Sequence, residues 1–427
     1  MTALDTPTAT VATRMRGNSS PRMPVNVLVF IFVICGAIAI VEPSPYDFAS
    51  MIAIPGWFIF GFRVHRMFAP FFVLMTVYLL SGFLALTPYW DDHDAVMFEL
   101  QSFYLYFTSL FFALYVGERT LERAELVLKA FTVSNLVAAS AAILGYFNVA
   151  GSADYFMVYE RASGTFKDPN VLGSFVVMGA LYLIQLIMLN RTRHRIVTLA
   201  VLAPILMGLF LSFSRGSWAA FIVATGMMVG MGFLTAGSRR LRLNIVFGMI
   251  AIAIVAAIIL AALLSDDAIR TLLLQRSQAP GEEYDDPRFF NQLRSLPMLL
   301  ERPLGFGPLR FRLIFDLEPH SSFVNGFASF GWLGGCVFII LVCATVYIGF
   351  RLCLLKSPFR TLAQVYWPAL FVFFVQGFQI DIDHWRHVFL MLGAIWGLEA
   401  ARQRWQSQQD RDSSKMASAT AARAFAA

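Results

Sequence analysis

The stretch IVTLAVLAPILMGLFLSFSRGSWAAFIVATGMMVGMGFL, residues 196–234, decides the fold class. It is long enough for two membrane-spanning helices, because about 20 apolar residues cross a bilayer. Its one ionisable side chain is Arg215, near the midpoint. A charged residue at this position is expected at the tip of a hairpin, where it reaches water rather than lipid. The stretch therefore predicts a hairpin of two spans with an arginine at one membrane face.

The whole chain has the composition of an integral membrane protein. Of its 427 residues, 58% are hydrophobic, 15% are aromatic and only 14% are charged, whereas soluble domains carry about 25% charged residues. Its mean hydropathy is +0.65. The net charge of +6 is distributed over many short loops rather than clustered on one soluble face. We therefore expect an all-α membrane protein and no nucleic acid as a partner.

Apolar runs of span length recur along the chain and predict about 12 transmembrane helices. We expect a membrane domain over 25–401, flanked by tails at 1–24 and 402–427. One long polar segment, 265–321, separates the ninth predicted span from the tenth. The predicted spans are 25–41, 46–62, 67–87, 101–117, 126–147, 170–189, 196–213, 216–234, 243–264, 322–350, 362–380 and 387–401.

Basic residues in short loops set the orientation, because Lys and Arg stay on the cytoplasmic side. Most of the basic residues fall in the two tails and in alternate loops, such as RTRHR at 191–195. This pattern predicts that both termini are cytoplasmic and that 265–321 lies on the other side. Arg161, Lys167 and Arg215 also fall on that outer side, in short connections. Their positions indicate an anionic ligand at the outer face.

Two of these connections have the features of a helix start. At the hairpin, Gly216 would permit the turn and Ser217 would cap the helix that follows. In RASGTFKDPN, residues 161–170, Asp168-Pro169 indicates a second helix start. A helix N-terminus offers free N–H groups to an anion. A plain capped loop is the alternative for 161–170, and an arginine that extends to lipid headgroups is the alternative for Arg215.

A histidine, His320, directly precedes the tenth predicted span, which Ser321 or Ser322 would cap. A lone histidine is usually structural. Here it lies at the membrane boundary in a segment rich in arginine, where an imidazole suits proton transfer. The pair Gly305 and Gly307 is interpreted as a turn rather than a phosphate loop, because no βαβ unit surrounds it.

Acidic clusters leave a metal site open as an alternative. Asp91, Asp92 and Asp94 lie in one outer loop, and Asp285-Asp286 in the long segment. Carboxylate oxygens of this kind suit Mg²⁺ or Ca²⁺. The charge asymmetry of a membrane protein also leaves acidic residues in outer loops, so we expect no metal. Asp383 and His384 have no role that the sequence assigns.

Four motifs resemble those of a known family in order and spacing. They are RASGTFKDPNVLGSF (161–175), LSFSRGSW (211–218), DPRFFNQLRSLPMLLERPLGFGP (286–308), and His320-Ser321 followed after nine residues by Gly331-Trp332-Leu333-Gly334. On these motifs, within about 155–335, the chain resembles the O-antigen ligase and polysaccharide polymerase superfamily of bacterial envelope glycosyltransferases. The closing segment IDIDHWRHVFLMLGAIWGLEA (380–400) resembles exopolysaccharide-type members.

The resemblance implies an inverting, metal-independent glycosyltransferase with a C-type glycosyltransferase membrane fold and no cofactor. The implied donor is a saccharide on undecaprenyl diphosphate. The implied acceptor is a sugar hydroxyl of the lipid A core or of another lipid-linked repeat, at the periplasmic face of the bacterial inner membrane. Arg215 and Arg288 match the family's hairpin and loop arginines, and His320 matches its essential histidine. Arg161 and Lys167 are secondary candidates for diphosphate contact.

The residues give an independent reason for these roles. A diphosphate leaving group already carries negative charge well, so cationic stabilisation serves it better than a general acid. A polysaccharide transporter or a flippase for lipid-linked glycans is the alternative class. Transporters place polar sites near the bilayer midplane, often in repeated halves. Gln185, Gln376 and Gln379 are nearly the only strongly polar side chains within the predicted spans, and no repeat is visible.

Overall fold

A computed structural model describes residues 22–61, 64–267, 269–271, 274 and 282–425, with the side chains of 22–24, 60, 282–288, 419 and 421–425 left out. Over this part most residues are helical, and the strands form one short antiparallel hairpin. In chain order the elements are α1 (Arg22–Cys35), α2 (Pro45–Phe60), α3 (Ala69–Leu86), α4 (His93–Gly117), α5 (Thr120–Tyr146), α6 (Ala153–Phe156), β1 (Met157–Val158), β2 (Arg161–Ala162), α7 (Pro169–Phe175), α8 (Val177–Met188), α9 (Arg195–Leu211), α10 (Arg215–Thr235), α11 (Arg239–Leu264), α12 (Glu282–Leu300), α13 (Phe311–Phe315), α14 (Ser322–Leu354), α15 (Arg360–Gln376) and α16 (Arg386–Phe425), with 3-10 turns at Arg66–Phe68, Thr87–Tyr89 and Val149–Gly151.

Within the described residues, seven helical segments are long and apolar enough to cross a membrane. The all-α membrane class is confirmed at this level. Each predicted span overlaps a helix, but the count of twelve stays a prediction. α1, for example, has only 14 residues, about 21 Å at 1.5 Å per residue. The seven segments are Arg66–Tyr89, His93–Gly117, Thr120–Tyr146, Pro169–Met188, Arg215–Thr235, Arg239–Leu264 and Ser322–Leu354.

The helices α7 and α8 lie in the middle of the bundle. In the segment that they form, Pro169–Met188, 89% of the apolar window is buried, against 17% in α11. Around this centre, α10 packs along α15, α4 along α16, and α3 along α14. In a membrane, close van der Waals packing and interhelical hydrogen bonds stabilise such pairs. The central position of α7 brings its first turn next to the starts of other helices.

A break at Gly331 divides α14 into a short outer segment and a long inner one. Gly331 has φ +70° and ψ −172°, a backbone conformation that residues with a Cβ rarely adopt. The break frees the carbonyl of Ala328, which accepts the N–H groups of Phe306 and Gly307 at 2.7 and 3.0 Å. The N–H of Trp332 donates to the carbonyl of Pro303 at 2.9 Å. The turn predicted at Gly305 and Gly307 is present, and it holds the break open.

The last helix continues past the boundary predicted for the membrane domain at residue 401. α16 runs without interruption to Phe425, so most of the predicted tail 402–427 extends the final span as helix. Arg402 donates to both carboxylate oxygens of Glu399, one turn earlier, at 2.8 and 2.6 Å. Pairs at this spacing stabilise helices. The composition of the tail therefore favours continuation of the helix.

Candidate functional site

The first turns of α7, α10 and α14 lie together at one end of the bundle, which we call the site face. The Ser217 hydroxyl in α10 lies 3.1 Å from the carbonyl of Asn170 in α7. A Cβ on Gly216 would lie 3.5 Å from the Gln376 amide nitrogen at the end of α15. The next residue, Gly377, accepts the N–H of Ser322 at 2.8 Å, at the start of α14. Three helix N-termini therefore surround the end of α15.

Arg215 is the first residue of α10 and is exposed at the site face. The predicted hairpin is present, but its turn differs from the prediction in two residues. Phe213, with φ +46°, takes the left-handed conformation expected of Gly216. Ser214, rather than Ser217, caps the helix and accepts the N–H of Ser217 at 3.3 Å. Arg215 extends from a fixed helix start, and its exposed side chain is accessible to a ligand as far as the described residues show.

Arg161 joins two of the helix starts. It is 8% exposed, and its Nε donates to the carbonyl of Ser212 at 2.8 Å. Its Nη2 donates to the side-chain oxygen of Asn170, also at 2.8 Å. The guanidinium therefore fixes the Arg215 hairpin against the start of α7. Its predicted contact with a diphosphate is not tested by these contacts, whereas its structural role follows from them.

Lys167 is exposed beside the start of α7 and forms an ion pair with Glu42 at 3.0 Å. It lies at the edge of a cavity of about 140 Å³ whose lining includes Phe175 and Arg386. Arg386 is engaged, since it donates two hydrogen bonds to the Asp47 carboxylate at 2.9 and 2.8 Å. An exposed ion pair is weak, so Lys167 can exchange Glu42 for an anionic ligand.

His320 has φ +46° and precedes the N-cap of α14, Ser321. Its side chain is 27% exposed, and its Nδ1 lies 3.5 Å from the Asp381 carboxylate. Among the side chains that the structure describes, this carboxylate is the charged group paired with His320, and the predicted arginine neighbours stay a prediction because the side chain of Arg288 is not described. Burial raises the pKa of the neighbouring carboxyl of Glu318, and Asp381 adds to the effect. Within the described part of the chain, His320 therefore has the carboxylate of Asp381 beside it and Glu318 two residues before it.

Asp381 is the residue that sequence reasoning missed. Its carboxylate lies on the Nδ1 side of the ring, and when Nδ1 carries the ring proton, Nε2 is the acceptor. The arrangement makes His320 able to take a proton from a bound hydroxyl group. The signal in the sequence was the polar run DIDH between two apolar runs, in a connection on the same predicted side as His320.

Asp383, left without a role by the sequence, holds the start of α14. It accepts hydrogen bonds from Ser322 at 3.1 Å and from Asn325 at 2.7 Å. Nδ1 of His384 lies 3.4 Å from the same carboxylate. Burial alone would raise the pKa of Asp383, but His384 and Asn325 lower it below its ordinary value. Burial alone would lower the pKa of His384, but the bond and charge of Asp383 raise it. This pair fixes the backbone that carries His320.

The acidic loop before α4 binds basic residues rather than forming a metal cluster. Asp92 caps α4 through the N–H groups of Asp94 and Ala95. It also accepts a hydrogen bond from Arg310 at 2.6 Å. Asp94 lies 3.6 Å from Arg312. The N–H of Ala95, followed by Arg310, lowers the pKa of Asp92. These contacts attach the segment before His320 to the bundle.

Two further parts of the predicted site are a possible metal cluster and Arg288. Among the residues that the structure describes, no group of three or more His, Cys, Asp or Glu side chains is arranged to hold a metal ion. Arg288 lies in α12, but its side chain falls outside the described part, as do those of Asp285 and Asp286. The metal alternative at Asp285-Asp286 and the predicted diphosphate role of Arg288 therefore stay predictions.

One buried carboxylate lies in a helix at a position where the sequence predicted a loop. Glu99 belongs to the second turn of α4 and is fully buried against Gly82. Neither of its carboxylate oxygens forms a hydrogen bond within the described residues. Sequence reasoning missed it because the predicted span began at residue 101, whereas α4 begins at His93.

No protein-family model matches the chain, and no curated protein is significantly similar to it. The family resemblance therefore rests on the four sequence motifs.

Proposed function

We propose that the chain is a membrane glycosyltransferase of the O-antigen ligase type. It would transfer a saccharide from undecaprenyl diphosphate to a sugar hydroxyl, either in O-antigen ligation to lipid A core or in polymerisation of a lipid-linked repeat. One observation carries the proposal. An exposed arginine at a helix start, Arg215, and a histidine oriented by a carboxylate, His320, lie on either side of the end of α15 at one face of the bundle.

The donor diphosphate would bind at the helix starts. The first turn of α10 offers N–H groups and the positive end of the helix dipole. Arg215 adds a planar guanidinium, which can donate two parallel hydrogen bonds to phosphate oxygens. Lys167 and Arg288 are the further cations proposed for this role, and Arg161 supports the hairpin from within. These groups would stabilise the charge of the leaving group as the glycosidic bond breaks.

In the proposed reaction the acceptor hydroxyl attacks the anomeric carbon from the side opposite the diphosphate. The bond from this carbon to the phosphate oxygen breaks, and its electron pair leaves with the diphosphate. The hydroxyl proton passes to Nε2 of His320, while Asp381 stabilises the imidazolium through Nδ1. Attack from the opposite side inverts the anomeric configuration. No step in this scheme requires a metal ion.

The proposed setting is the bacterial inner membrane, with twelve spans, both termini in the cytoplasm and the site face in the periplasm. Transport of lipid-linked glycan is the second candidate function, favoured by one observation. The buried Glu99 lies inside a span, and ionisable residues in spans often belong to transport pathways.

Reconstitution into liposomes with a labelled lipid-linked glycan tests the proposal. Transfer of label to an acceptor sugar, lost in His320→Gln, is the expected result. Movement of label across the bilayer without transfer would favour transport. If neither transfer nor movement occurs with a range of donors, the proposed function is wrong.

A further inference from the structure

The helix α12 carries an exposed apolar stripe along one side. Phe289, Phe290, Leu293, Leu296 and Leu300 are all exposed, with Leu293 at 68% and Leu300 at 71%. At 100° per residue these five positions fall within about 120° of the helix circumference. Soluble surfaces scatter such residues singly, whereas a continuous stripe marks an interaction surface.

The opposite side of α12 is fixed to the bundle, so the stripe cannot turn inward. Gln292 donates to the carbonyl of Pro319 at 2.7 Å, and Asn291 donates to that of Phe315 at 3.2 Å. Ser295 is fully buried on the same side. This side of the helix also packs against α14. These contacts therefore keep the stripe facing away from the bundle.

The end of α12 lies at the edge of the membrane. Trp332 donates from its indole N–H to the carbonyl of Leu299 at 2.7 Å. The helical run from Trp332 to Phe350, just before Arg351, has 19 residues. It is about 28 Å long, close to the roughly 30 Å of the hydrocarbon core. Trp332 then lies at the boundary of the core, where tryptophan is enriched, and Leu299 lies beside it.

The stripe continues an exposed apolar surface of α14. On α14, Trp332 and Leu333 are 42% and 50% exposed, and Leu304 next to them is 51% exposed. This apolar surface extends from the span through Leu304 to Leu300 and along α12. Two exposed arginines, Arg294 and Arg302, flank the stripe. Their charges complement the phosphates of lipid headgroups.

We propose that α12 is an interfacial helix. Its apolar stripe lies against the acyl chains of the leaflet at the site face, and Arg294 and Arg302 lie at the level of the phosphates. An apolar stripe with flanking basic residues is the pattern of helices that lie in the membrane surface. This inference concerns how the protein sits in the bilayer and does not depend on glycosyl transfer.

Depth-dependent fluorescence quenching tests the proposal on the full chain. The four native cysteines, Cys35, Cys336, Cys343 and Cys353, are replaced by alanine. One cysteine is then placed at 293, 300, 333 or 160 and labelled with an NBD fluorophore. Leu333 is the lipid-facing reference, and Glu160, exposed in the β1–β2 turn, is the aqueous control. The variants are reconstituted into nanodiscs of phosphatidylglycerol and phosphatidylcholine with bromine high on the acyl chains.

We expect quenching at positions 293 and 300 to approach that at 333 and to exceed that at 160 by about threefold. Quenching no greater than at 160 would overturn the proposal. If a crosslinker at 293 instead captures a second copy of the chain in place of lipid, the stripe is a protein interface. Hydrogen exchange provides a second measurement that needs no label and so does not disturb the helix. Exchange over 289–300 should slow when the protein is moved from detergent to nanodiscs. The substitution Leu293→Asp should abolish this slowing.

Discussion

Replacing Asp381 with asparagine tests whether His320 and Asp381 work as one unit. Asparagine keeps the shape of the side chain but can present its amide N–H to Nδ1. It then no longer selects the tautomer in which Nε2 accepts a proton. The imidazolium formed during turnover would also lose its counter-charge. We therefore expect Asp381→Asn to slow the chemical step while the donor still binds.

The magnitude follows from the geometry of the pair. The two groups lie 3.5 Å apart and their side chains are 27% and 31% exposed, so solvent screens their attraction to about 1 kcal/mol or less. Because 1 kcal/mol corresponds to about a fivefold change in rate, we expect the loss in Asp381→Asn to be about fivefold. Positioned proton transfer as a whole contributes about 10²–10⁴, which is the loss expected for His320→Gln. The double variant should be no slower than His320→Gln alone, because the carboxylate acts through the histidine.

The assay measures donor affinity and single-turnover rate separately, in nanodiscs with a labelled lipid-linked saccharide. Asp154→Asn is the matched control, since Asp154 is an exposed carboxylate in α6, before the β1–β2 hairpin. Its rate should equal that of the unsubstituted protein. The reasoning is refuted if the two losses multiply in the double variant. It is equally refuted if His320→Gln binds donor poorly yet turns over normally at saturation.

Further expectations concern the arginines, metal dependence and pH. Arg215→Lys should lose most transfer activity and Arg215→Ala nearly all, because lysine lacks the planar two-donor fork; a lysine variant at full rate would show that the fork is not needed. Arg161→Met should lower the free energy of unfolding by about 2–4 kcal/mol, because it leaves the Ser212 carbonyl and the Asn170 side-chain oxygen without their donor. An unchanged thermal midpoint would show that Arg161 does not hold the hairpin against α7. Activity should survive EDTA, whereas loss with EDTA and recovery with Mg²⁺ would assign a metal to the loop of Asp92. The raised pKa of His384 means that its contribution to stability is present below its unfolded pKa of about 6.5 and is lost as pH rises through the folded value. The lowered pKa of Asp383 makes its contribution present above about 3.9 and lost as pH falls. The thermal midpoint of His384→Gln should therefore fall furthest below that of the unsubstituted protein between about pH 4 and 6.5, and a gap that widens at pH 9 would reverse this sign.

The helical architecture was predictable because hydropathy is a local property of the sequence. The hairpin at Arg215 shows which features hydropathy predicts and which it does not. Its location follows from two adjacent apolar runs, but its turn residue does not. SFSRGS contains three serines, and either Ser214 or Ser217 could cap the helix. Packing around Ser212 and Arg161 selects Ser214, which places Phe213 in the left-handed turn.

The pairing of His320 with Asp381 could not be predicted by the same means. The two residues lie 61 positions apart, and their contact depends on how α14 meets the end of α15. The sequence supplied the residue types and the common membrane face, while helix packing supplied the partner. Glu99 was missed for a different reason, because α4 begins with polar residues that place it outside the apolar run.

The attachment of residues 303–307 to the break in α14 is made by main-chain atoms. Side chains of this turn that do not pack against the bundle can therefore be substituted without weakening the attachment. The spacing between the turn and the break cannot vary, because Gly305 and Gly331 both have positive φ and touch the opposing main chain. Residues 299–332 must consequently be exchanged together when a chimera is made. A chimera with a related protein should fold when this unit is transplanted whole, and should fail when its junction falls between Pro303 and Ala328.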